Sequence, residues 1–301
     1  MKNMNKYENC LLCPRKCGIN RRTGQTGGCG VSSEIKVARA ALHYWEEPCI
    51  SGKRGSGAVF FSGCSLHCVF CQNREISDGK EGKVISKERL SDIFIELAGK
   101  GANNINLVTP GQYIPDIVWA VNDAKSRGMK LPIIYNTSGY ENVTELKLLE
   151  GIVDVYLPDF KYMDSTLSAM YSRAKDYPSV AKQALSEMVR QQPDVVIDDA
   201  TGLIQKGVIV RQLLLPGHVN DAKAVLKYLY DTYHDHVYIS MMSQFTPIAL
   251  KDYPEINRTV TKREYERLVN YALEIGITNA FIQEGDVAKD SFIPAFDCEG
   301  V

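Results

Sequence analysis

Gly63-Cys64-Ser65-Leu66-His67-Cys68-Val69-Phe70-Cys71 is the most informative stretch of this chain, because its three cysteines have the spacing C-x3-C-x2-C and no fourth cysteine lies nearby. A closed structural metal site uses four protein ligands, whereas a catalytic site leaves one coordination position open. Three thiolates on one loop can ligate three irons of a [4Fe–4S] cube and leave the fourth iron free for a small molecule. The stretch therefore predicts redox chemistry on a ligand bound at Cys64, Cys68 and Cys71.

The cysteine triplet follows a short apolar run, Ala58-Val59-Phe60-Phe61-Ser62, which is typical of a buried strand. Beyond it, apolar runs of strand length alternate with helical patterns, except in residues 164–206, where two helices and a hairpin interrupt the alternation. Such alternation indicates βαβ units around a parallel sheet. We predict a partial (β/α)6 TIM-like barrel of parallel strands over residues 57–301, with ligands at the carboxyl ends of the strands.

Residues 1–56 are rich in Gly, Arg and Cys and show little periodicity, so we predict a Cys-rich irregular segment held by a metal. Four cysteines there have the spacing C-x2-C-x3-C-x11-C. They are Cys10, Cys13, Cys17 and Cys29. The spacing differs from the ferredoxin run C-x2-C-x2-C-x3-C-P, and two interpretations stay open. One is a structural zinc site, which we slightly favour; the other is a second cluster that relays electrons.

Size and charge exclude several classes of protein. The chain has 301 residues, 45% of them hydrophobic, and a net charge of −1 from 35 basic and 36 acidic residues. A balanced charge gives no electrostatic footprint for nucleic acid or for an anionic membrane. No apolar run reaches the roughly 20 residues of a membrane span, and the first nine residues are polar. We therefore expect a cytoplasmic protein, in which cysteine clusters bind metal more often than they form disulfides.

The triplet, with Phe70 before its last cysteine, resembles the radical S-adenosylmethionine superfamily. Further segments resemble, in order and spacing, pyruvate formate-lyase activating enzymes and above all an activase-like branch with a Cys-rich N-terminal segment. They are Glu47-Pro48-Cys49-Ile50-Ser51-Gly52, Asn136-Thr137-Ser138-Gly139, Asp159-Phe160-Lys161 and Val210-Arg211-Gln212-Leu213-Leu214-Leu215-Pro216-Gly217. The resemblance covers nearly the whole chain. The triplet is specific to the superfamily, whereas the similarity to an activase is less specific.

This resemblance implies a mechanism and two cofactors. A [4Fe–4S] cluster on the triplet chelates S-adenosylmethionine through its free iron and cleaves it reductively to a 5′-deoxyadenosyl radical, which abstracts hydrogen from a substrate. The electron comes from a donor such as flavodoxin or ferredoxin, and the substrate of an activase is a glycyl-radical protein. Because the cofactor carries the difficult chemistry, no protein acid–base pair is nominated as catalytic.

The resemblance also implies which residues bind S-adenosylmethionine. Phe70 presents its backbone to the adenine, and Thr109 and Gly111 stand where the superfamily often has Gly-Gly-Glu, which is degenerate here. Asn136 and Ser138 are candidates for ribose or carboxylate contacts. Lys161 and Arg211 are candidates for the carboxylate, since a planar guanidinium suits it. An ion pair with a neighbouring carboxylate, such as Asp159 for Lys161, is the alternative interpretation for each of these two cations.

Two alternatives to an activase remain open at this point. One is a radical enzyme that modifies a small molecule or a peptide, which would have a closed pocket with convergent polar groups. The other, from a different class, is a non-enzymatic iron–sulfur or zinc module. Such a module has no need of an open iron, so a fourth ligand near the triplet, for instance Cys49 folding back, would favour it.

Overall fold

A mostly parallel sheet with helices on its outer face forms the body of the protein. The computed structural model describes residues 4–248, 250–283 and 294–301. The strands, in chain order, are β1 (Ile35–His43), β2 (Ser56–Phe61), β3 (Lys83–Ile85), β4 (Ile105–Val108), β5 (Ile133–Thr137), β6 (Val155–Pro158), β7 (Val196–Ile197), β8 (Ile204–Leu213), β9 (Tyr238–Met242) and β10 (Ala280–Ile282). The α-helices are α1 (Pro48–Ser51), α2 (Arg74–Ser77), α3 (Lys87–Gly99), α4 (Ile114–Ser126), α5 (Val143–Leu146), α6 (Ser165–Ser172), α7 (Tyr177–Gln191), α8 (Val219–Tyr233) and α9 (Lys262–Glu274).

The strand order is β10-β9-β8-β6-β5-β4-β2-β1-β3. Neighbours from β2 to β10 pair in parallel, whereas β1 pairs antiparallel with both β2 and β3, and β7 forms the predicted hairpin with β8. In the described part of the chain, β10 and β3 do not pair with each other, so the barrel is open. This architecture confirms the predicted partial barrel of parallel strands.

Strand β1 lies in the segment for which we expected irregular structure. From residue 4 to residue 34 the chain is irregular apart from two short 3-10 turns, but residues 35–43 extend the sheet along β2, from Val37 opposite Phe61 to His43 opposite Ser56. The sequence signal was weak because alanine, which has low β-propensity, occupies three positions of this strand. Pairing with β2, a tertiary effect, supplies the order that local propensity lacks.

Local capping residues start the outer helices α3 and α9. Ser86 caps α3 by accepting a hydrogen bond from the backbone N–H of Arg89. Thr261 and Glu264 form a complete capping box at the start of α9. The apolar faces of these helices pack on the sheet in one large core. Among the described residues, no helix combines the length and the apolar character that a membrane crossing requires.

The short helix α1 closes the bottom of the barrel. Its Ile50 is fully buried and packs, together with Cys49, on apolar side chains that face the barrel interior, among them Val155, Leu157 and Ile209. Residues Glu46 and Glu47, which directly precede α1, are thereby carried into the interior. The N-terminal segment thus contributes both a strand and a plug to the barrel.

Candidate active site

The triplet loop leaves the carboxyl end of β2 and is held by contacts on three sides. Gln112 donates its side-chain amide to the carbonyls of Ser62 and Gly63, at 3.0 and 3.1 Å. The backbone N–H of Val69 donates to the carbonyl of Tyr171 at 2.8 Å, and Gln72 donates to the carbonyl of Gln244 at 3.0 Å. The loop is therefore fixed by α6 and by the segments that follow β4 and β9.

Cys64, Cys68 and Cys71 line one cavity of about 210 Å³ at the carboxyl ends of the strands. Most of the residues that we predicted to bind S-adenosylmethionine line the same cavity. They are Phe70, Thr109, Asn136, Ser138, Lys161 and Arg211. The structure thus brings together residues that lie as much as 147 positions apart in the sequence, from Cys64 to Arg211. Gly111 differs, because it lines a smaller neighbouring cavity instead.

The thiols of the triplet sit in an environment that suits iron. Burial raises the pKa of Cys68 to about 11 and that of Cys71 to about 12, although the Lys161 ammonium acts in the opposite direction on both. Buried thiolates therefore need a compensating positive charge, which cluster iron would supply. Ser172 donates its hydroxyl to Cys68 Sγ at 3.0 Å, as expected beside a thiolate. These residues fit a thiolate-bound iron–sulfur cluster.

Two residues beside the cavity adopt left-handed backbone conformations that are uncommon for residues other than glycine. Thr109, at the end of β4, has φ of 56°, and His67, between two of the cysteines, has φ of 51°. For a β-branched residue such as Thr109 this conformation is strained. Strain of this kind clusters at binding sites, so it marks the β4 end as part of the site. Phe70 is buried and packs edge-on to Tyr162, with ring centroids 6.5 Å apart.

A charged layer forms the floor of the cavity. Lys161 Nζ lies 2.6 Å from Asp159 Oδ2, so the ion pair that competed with ligand binding does form. Arg211 Nε lies 3.0 Å from Asp159 Oδ1. Burial raises the pKa of Asp159, but the two cations outweigh it and hold that pKa below its usual range. Both cations nevertheless line the cavity, where a ligand carboxylate could still approach them.

Glu46 is the site residue that the sequence analysis missed. Its carboxylate contacts Arg211 Nη1 at 3.3 Å and accepts hydrogen bonds from the amides of Asn106 and Asn136, at 3.0 and 3.3 Å. Burial raises the pKa of Glu46 in spite of the nearby guanidinium, and the same holds for its neighbour Glu47. The sequence feature that could have pointed to Glu46 is the pair of acidic residues directly before the apolar stretch of α1.

The smaller cavity, of about 20 Å³, lies between the two sets of cysteines. Cys10, Cys13 and Cys29 line it together with Cys64 of the triplet. Glu141 also lines it, and burial raises the pKa of this carboxyl group to about 7. A Cβ atom at Gly111 would lie 2.8 Å from Glu141 Oε2, so glycine at that position leaves room for the carboxyl group.

The remaining cysteines occupy distinct places. Cys17 is exposed and accepts a hydrogen bond from the backbone N–H of Gly28 at 3.3 Å. Cys49 belongs to the apolar plug and does not line the large cavity. Across residues 4–248, 250–283 and 294–301, no three or more His, Cys, Asp or Glu side chains are grouped so that they could hold a metal ion. The metal sites at both sets of cysteines stay predictions.

The hydrogen-bond donors and acceptors around the large cavity also fit the functional groups of S-adenosylmethionine. Arg211 and Lys161 can face a carboxylate, Glu46 and Asp159 an amine, and the strand-end residue Ser138 a hydroxyl group. Apolar lining comes from Leu66 and other residues near the triplet. Cavities lined by apolar side chains with a few convergent polar groups are the usual form of cofactor sites.

Comparisons with known proteins find an iron–sulfur domain within the chain and solved structures of similar fold. Residues 51–173 match a family model described as a 4Fe-4S single cluster domain. An uncharacterized protein of Methanocaldococcus jannaschii is 28% identical over 275 residues, which cover 89% of this chain and 75% of that protein. A solved radical SAM methyltransferase from Sphaerobacter thermophilus is similar with a TM-score of 0.50 at 14% identity, over 76% of this chain and 66% of that one. SuiB of Streptococcus suis bound to S-adenosylmethionine is similar with a TM-score of 0.50 at 12% identity, over 74% of this chain and 48% of that one.

The fold and the cluster-domain match concern the same part of the chain. The open α/β barrel is similar in fold to the radical SAM methyltransferase and to SuiB. Its cysteine triplet lies inside the segment that matches a 4Fe-4S cluster domain, at the mouth of that barrel. The two solved structures are longer than the aligned part, since the chain spans 66% of one and 48% of the other.

Proposed function

We propose that this protein is a radical S-adenosylmethionine enzyme that abstracts hydrogen from its substrate. The observation that carries the proposal is the shared cavity: Cys64, Cys68 and Cys71 line it with Asn136 and with the charged ends of β6 and β8. Among the described residues, no other cysteine lines this cavity, so one iron of a cluster there would have no cysteine ligand. When bound, cluster and cofactor supply one-electron cleavage of S-adenosylmethionine and a carbon radical.

The role of the chain's own residues is to bind and orient the cofactor and to exclude water from the cavity. Arg211 offers a planar fork of N–H donors and Lys161 a point charge, which suit the carboxylate of the cofactor. Asp159 and Glu46 hold these two cations in place before any ligand arrives, since both carboxylates already contact them. The buried Leu66 and Phe70 shield the triplet side of the cavity from solvent.

The finer proposal is that the substrate is a glycyl-radical protein and that the enzyme is its activase. A second cavity of about 170 Å³ adjoins the first, and the two share His43, Trp45, Phe60 and Pro294. The second cavity is also lined by Tyr44, which is half exposed. A site that continues to exposed aromatic side chains suits a polypeptide better than a closed pocket does. The electron donor in this proposal is a flavodoxin or a ferredoxin.

The first experiment tests the radical chemistry. The protein is reconstituted anaerobically with iron and sulfide, reduced with dithionite and incubated with S-adenosylmethionine, and 5′-deoxyadenosine is quantified by mass spectrometry. We expect product from the intact chain and from the control Cys298→Ala, and none from Cys68→Ala. An intact, iron-loaded protein that forms no 5′-deoxyadenosine would overturn the proposal.

The second experiment tests the substrate. Glycyl-radical proteins from the same cell are incubated with the reconstituted enzyme, dithionite and S-adenosylmethionine, and the samples are examined by electron paramagnetic resonance. An activase gives the signal of a stable glycyl radical on one of these proteins. If 5′-deoxyadenosine accumulates while every candidate stays silent, the substrate is a small molecule or a peptide and the activase proposal is wrong.

A further inference from the structure

We propose that Cys10, Cys13, Cys17 and Cys29 ligate a second [4Fe–4S] cluster, which passes single electrons to the cluster on the triplet. This inference rests on the proposed function, because a relay needs a redox centre to deliver to. It chooses between the two interpretations that the spacing of these four cysteines left open.

The first argument is position. Cys10, Cys13 and Cys29 line the small cavity of about 20 Å³ that Cys64 of the triplet also lines, so the two sets of cysteines border one common space. A structural zinc site gains nothing from lying against a redox centre. An electron relay requires that proximity.

The two cysteine loops are also joined directly. Arg15 Nε donates to the carbonyl of Ser65 at 2.8 Å, and the ring of His67 contacts the carbonyl of Gly28 at 2.5 Å. Gly63, directly before the triplet, approaches the carbonyl of Cys29 so closely that a Cβ atom there would lie 2.6 Å from it. The two loops therefore form one rigid unit, which fixes the distance between their metal sites.

The second argument is charge. Arg21 is 1% exposed, and its guanidinium donates to backbone carbonyls of Ser32 and Gln112, at 2.6 and 2.7 Å, and lies 3.9 Å from Cys10 Sγ. Within the part of the chain that the structure describes, no carboxylate forms an ion pair with it. A buried charge without compensation is costly. A metal centre with four thiolate ligands, whether zinc or a cluster, carries net negative charge and would compensate this cation, so the charge supports a metal site here while position and anchoring favour a cluster.

The third argument concerns the need for a structural zinc ion. Zinc was considered because the N-terminal segment showed no periodicity and was expected to be held by a metal. The segment is fastened to the barrel without any metal: Lys6 pairs with Glu145 at 2.6 Å, and the Tyr7 hydroxyl donates to Asp116 at 2.5 Å. Asn142 donates to the carbonyl of Leu11 at 2.8 Å, which adds a third anchor. Since these contacts already hold the segment, redox transfer is the role that remains for a metal.

The solvent exposure of the four cysteines indicates where an electron would enter the second cluster. Cys17 is exposed, whereas Cys10 and Cys29 are buried. A protein of the low-potential one-electron carrier class would therefore donate at the Cys17 side and lose one electron. The second cluster goes from its 2+ to its 1+ core state and returns to 2+ as the triplet cluster is reduced in the same way. No bond is made or broken and no proton moves in this step.

The decisive test measures metal, independently of catalysis. The triple variant in which Cys64, Cys68 and Cys71 are replaced by alanine is purified anaerobically, reconstituted and analysed for iron, sulfide and zinc. We expect about four irons and four sulfides per chain, against about eight of each in the intact protein. An electron paramagnetic resonance signal should appear on reduction of the triple variant. A triple variant with one zinc and no iron, or with no metal, would overturn the inference.

A second test measures the relay. Reduced flavodoxin is mixed with the reconstituted protein, and reduction of the triplet cluster is followed by stopped-flow absorbance. We expect Cys17→Ala to be reduced several times more slowly than the intact chain, and the control Cys298→Ala to be reduced at the intact rate. Equal rates in all three would contradict a relay. Formation of 5′-deoxyadenosine with dithionite tests the proposed function separately, so failure of one proposal can be told from failure of the other.

Discussion

Arg211 Nε donates to Asp159 Oδ1 across 3.0 Å, which joins the ends of β8 and β6 at the floor of the cavity. The same guanidinium donates to Glu46 Oε2 at 3.3 Å and to Asn136 Oδ1 at 2.5 Å. Backbone pairing supports the contact, since the N–H of Phe160 donates to the carbonyl of Arg211 at 2.8 Å. The Arg211 side chain, which belongs to β8, therefore contacts the end of β6, the end of β5 and Glu46 in the segment before α1.

Replacing Arg211 tests how much the charged layer at the floor of the cavity contributes to the free energy of unfolding. Arg211→Gln leaves Glu46 without its cation and Asp159 with Lys161 alone. Removing one partner from a buried ion pair costs about 3 to 5 kcal/mol, because the other charge stays buried. We expect the free energy of unfolding, measured by urea titration under anaerobic conditions, to fall by about 3 kcal/mol.

The matched control is Arg127→Gln, which removes an arginine whose ion pairs with Asp92 and Asp123 are at the surface. Exposed pairs contribute little, so the urea midpoint of this variant should stay close to that of the intact protein. Equal losses in the two variants would show that Arg211 contributes no more than a surface pair.

The order of strands and helices was predictable because local signals agreed with tertiary structure. The run before the triplet became β2, and Ser86 and Thr261 became helix caps. The placement of Glu46 was not predictable, because its partner Arg211 lies 165 residues away. The ion pair of Lys161 could not be predicted with certainty from sequence either, since only the geometry shows that this residue pairs with Asp159 and also lines the cavity, and its contact with a ligand stays a prediction.

The plug at the bottom of the barrel gives a second prediction. Ile50 is fully buried against interior-facing side chains of β5, β6 and β8. Truncation of a buried isoleucine to alanine leaves a cavity and costs about 2 to 5 kcal/mol. Ile50→Ala should lower the free energy of unfolding by an amount in that range in urea titrations. Leu273→Ala, at a position that is 62% exposed, is the control and should change it little. A small effect at Ile50 would mean that α1 does not close the barrel.

His43 predicts a pH dependence of stability. Burial, with a further contribution from the Arg39 charge, lowers the pKa of His43 from 6.5 to about 4. The unfolded chain therefore binds more protons than the folded one between these values, and stability is lost as pH falls from about 6.5 towards 4. This one group accounts for roughly 2 to 3 kcal/mol of that loss.

The check compares the free energy of unfolding at pH 7 and at pH 4.5, in metal-free protein with a thiol reductant. His43→Gln should shrink the difference between the two pH values, because a side chain that cannot be protonated replaces the buried imidazole. His236→Gln, which removes an exposed imidazole, should leave the difference as it is in the intact chain. An unchanged difference in His43→Gln would show that this imidazole is protonated as readily in the folded chain as in the unfolded one.

Ser172, in the segment of residues 164–206 that interrupts the strand–helix alternation, is predicted to tune the redox potential of a cluster bound at the triplet. Its hydroxyl donates to Cys68 Sγ at 3.0 Å, from the last residue of α6. Hydrogen bonds to cluster sulfurs stabilise the more negative, reduced state, and their loss lowers the reduction potential. Ser172→Ala should therefore shift the midpoint potential of the triplet cluster to a more negative value, measured by redox titration with electron paramagnetic resonance detection. Ser179→Ala, which removes an exposed hydroxyl near the start of α7, should not shift it. A potential that is equal in both variants would mean that the insertion packs against the loop without tuning the cluster.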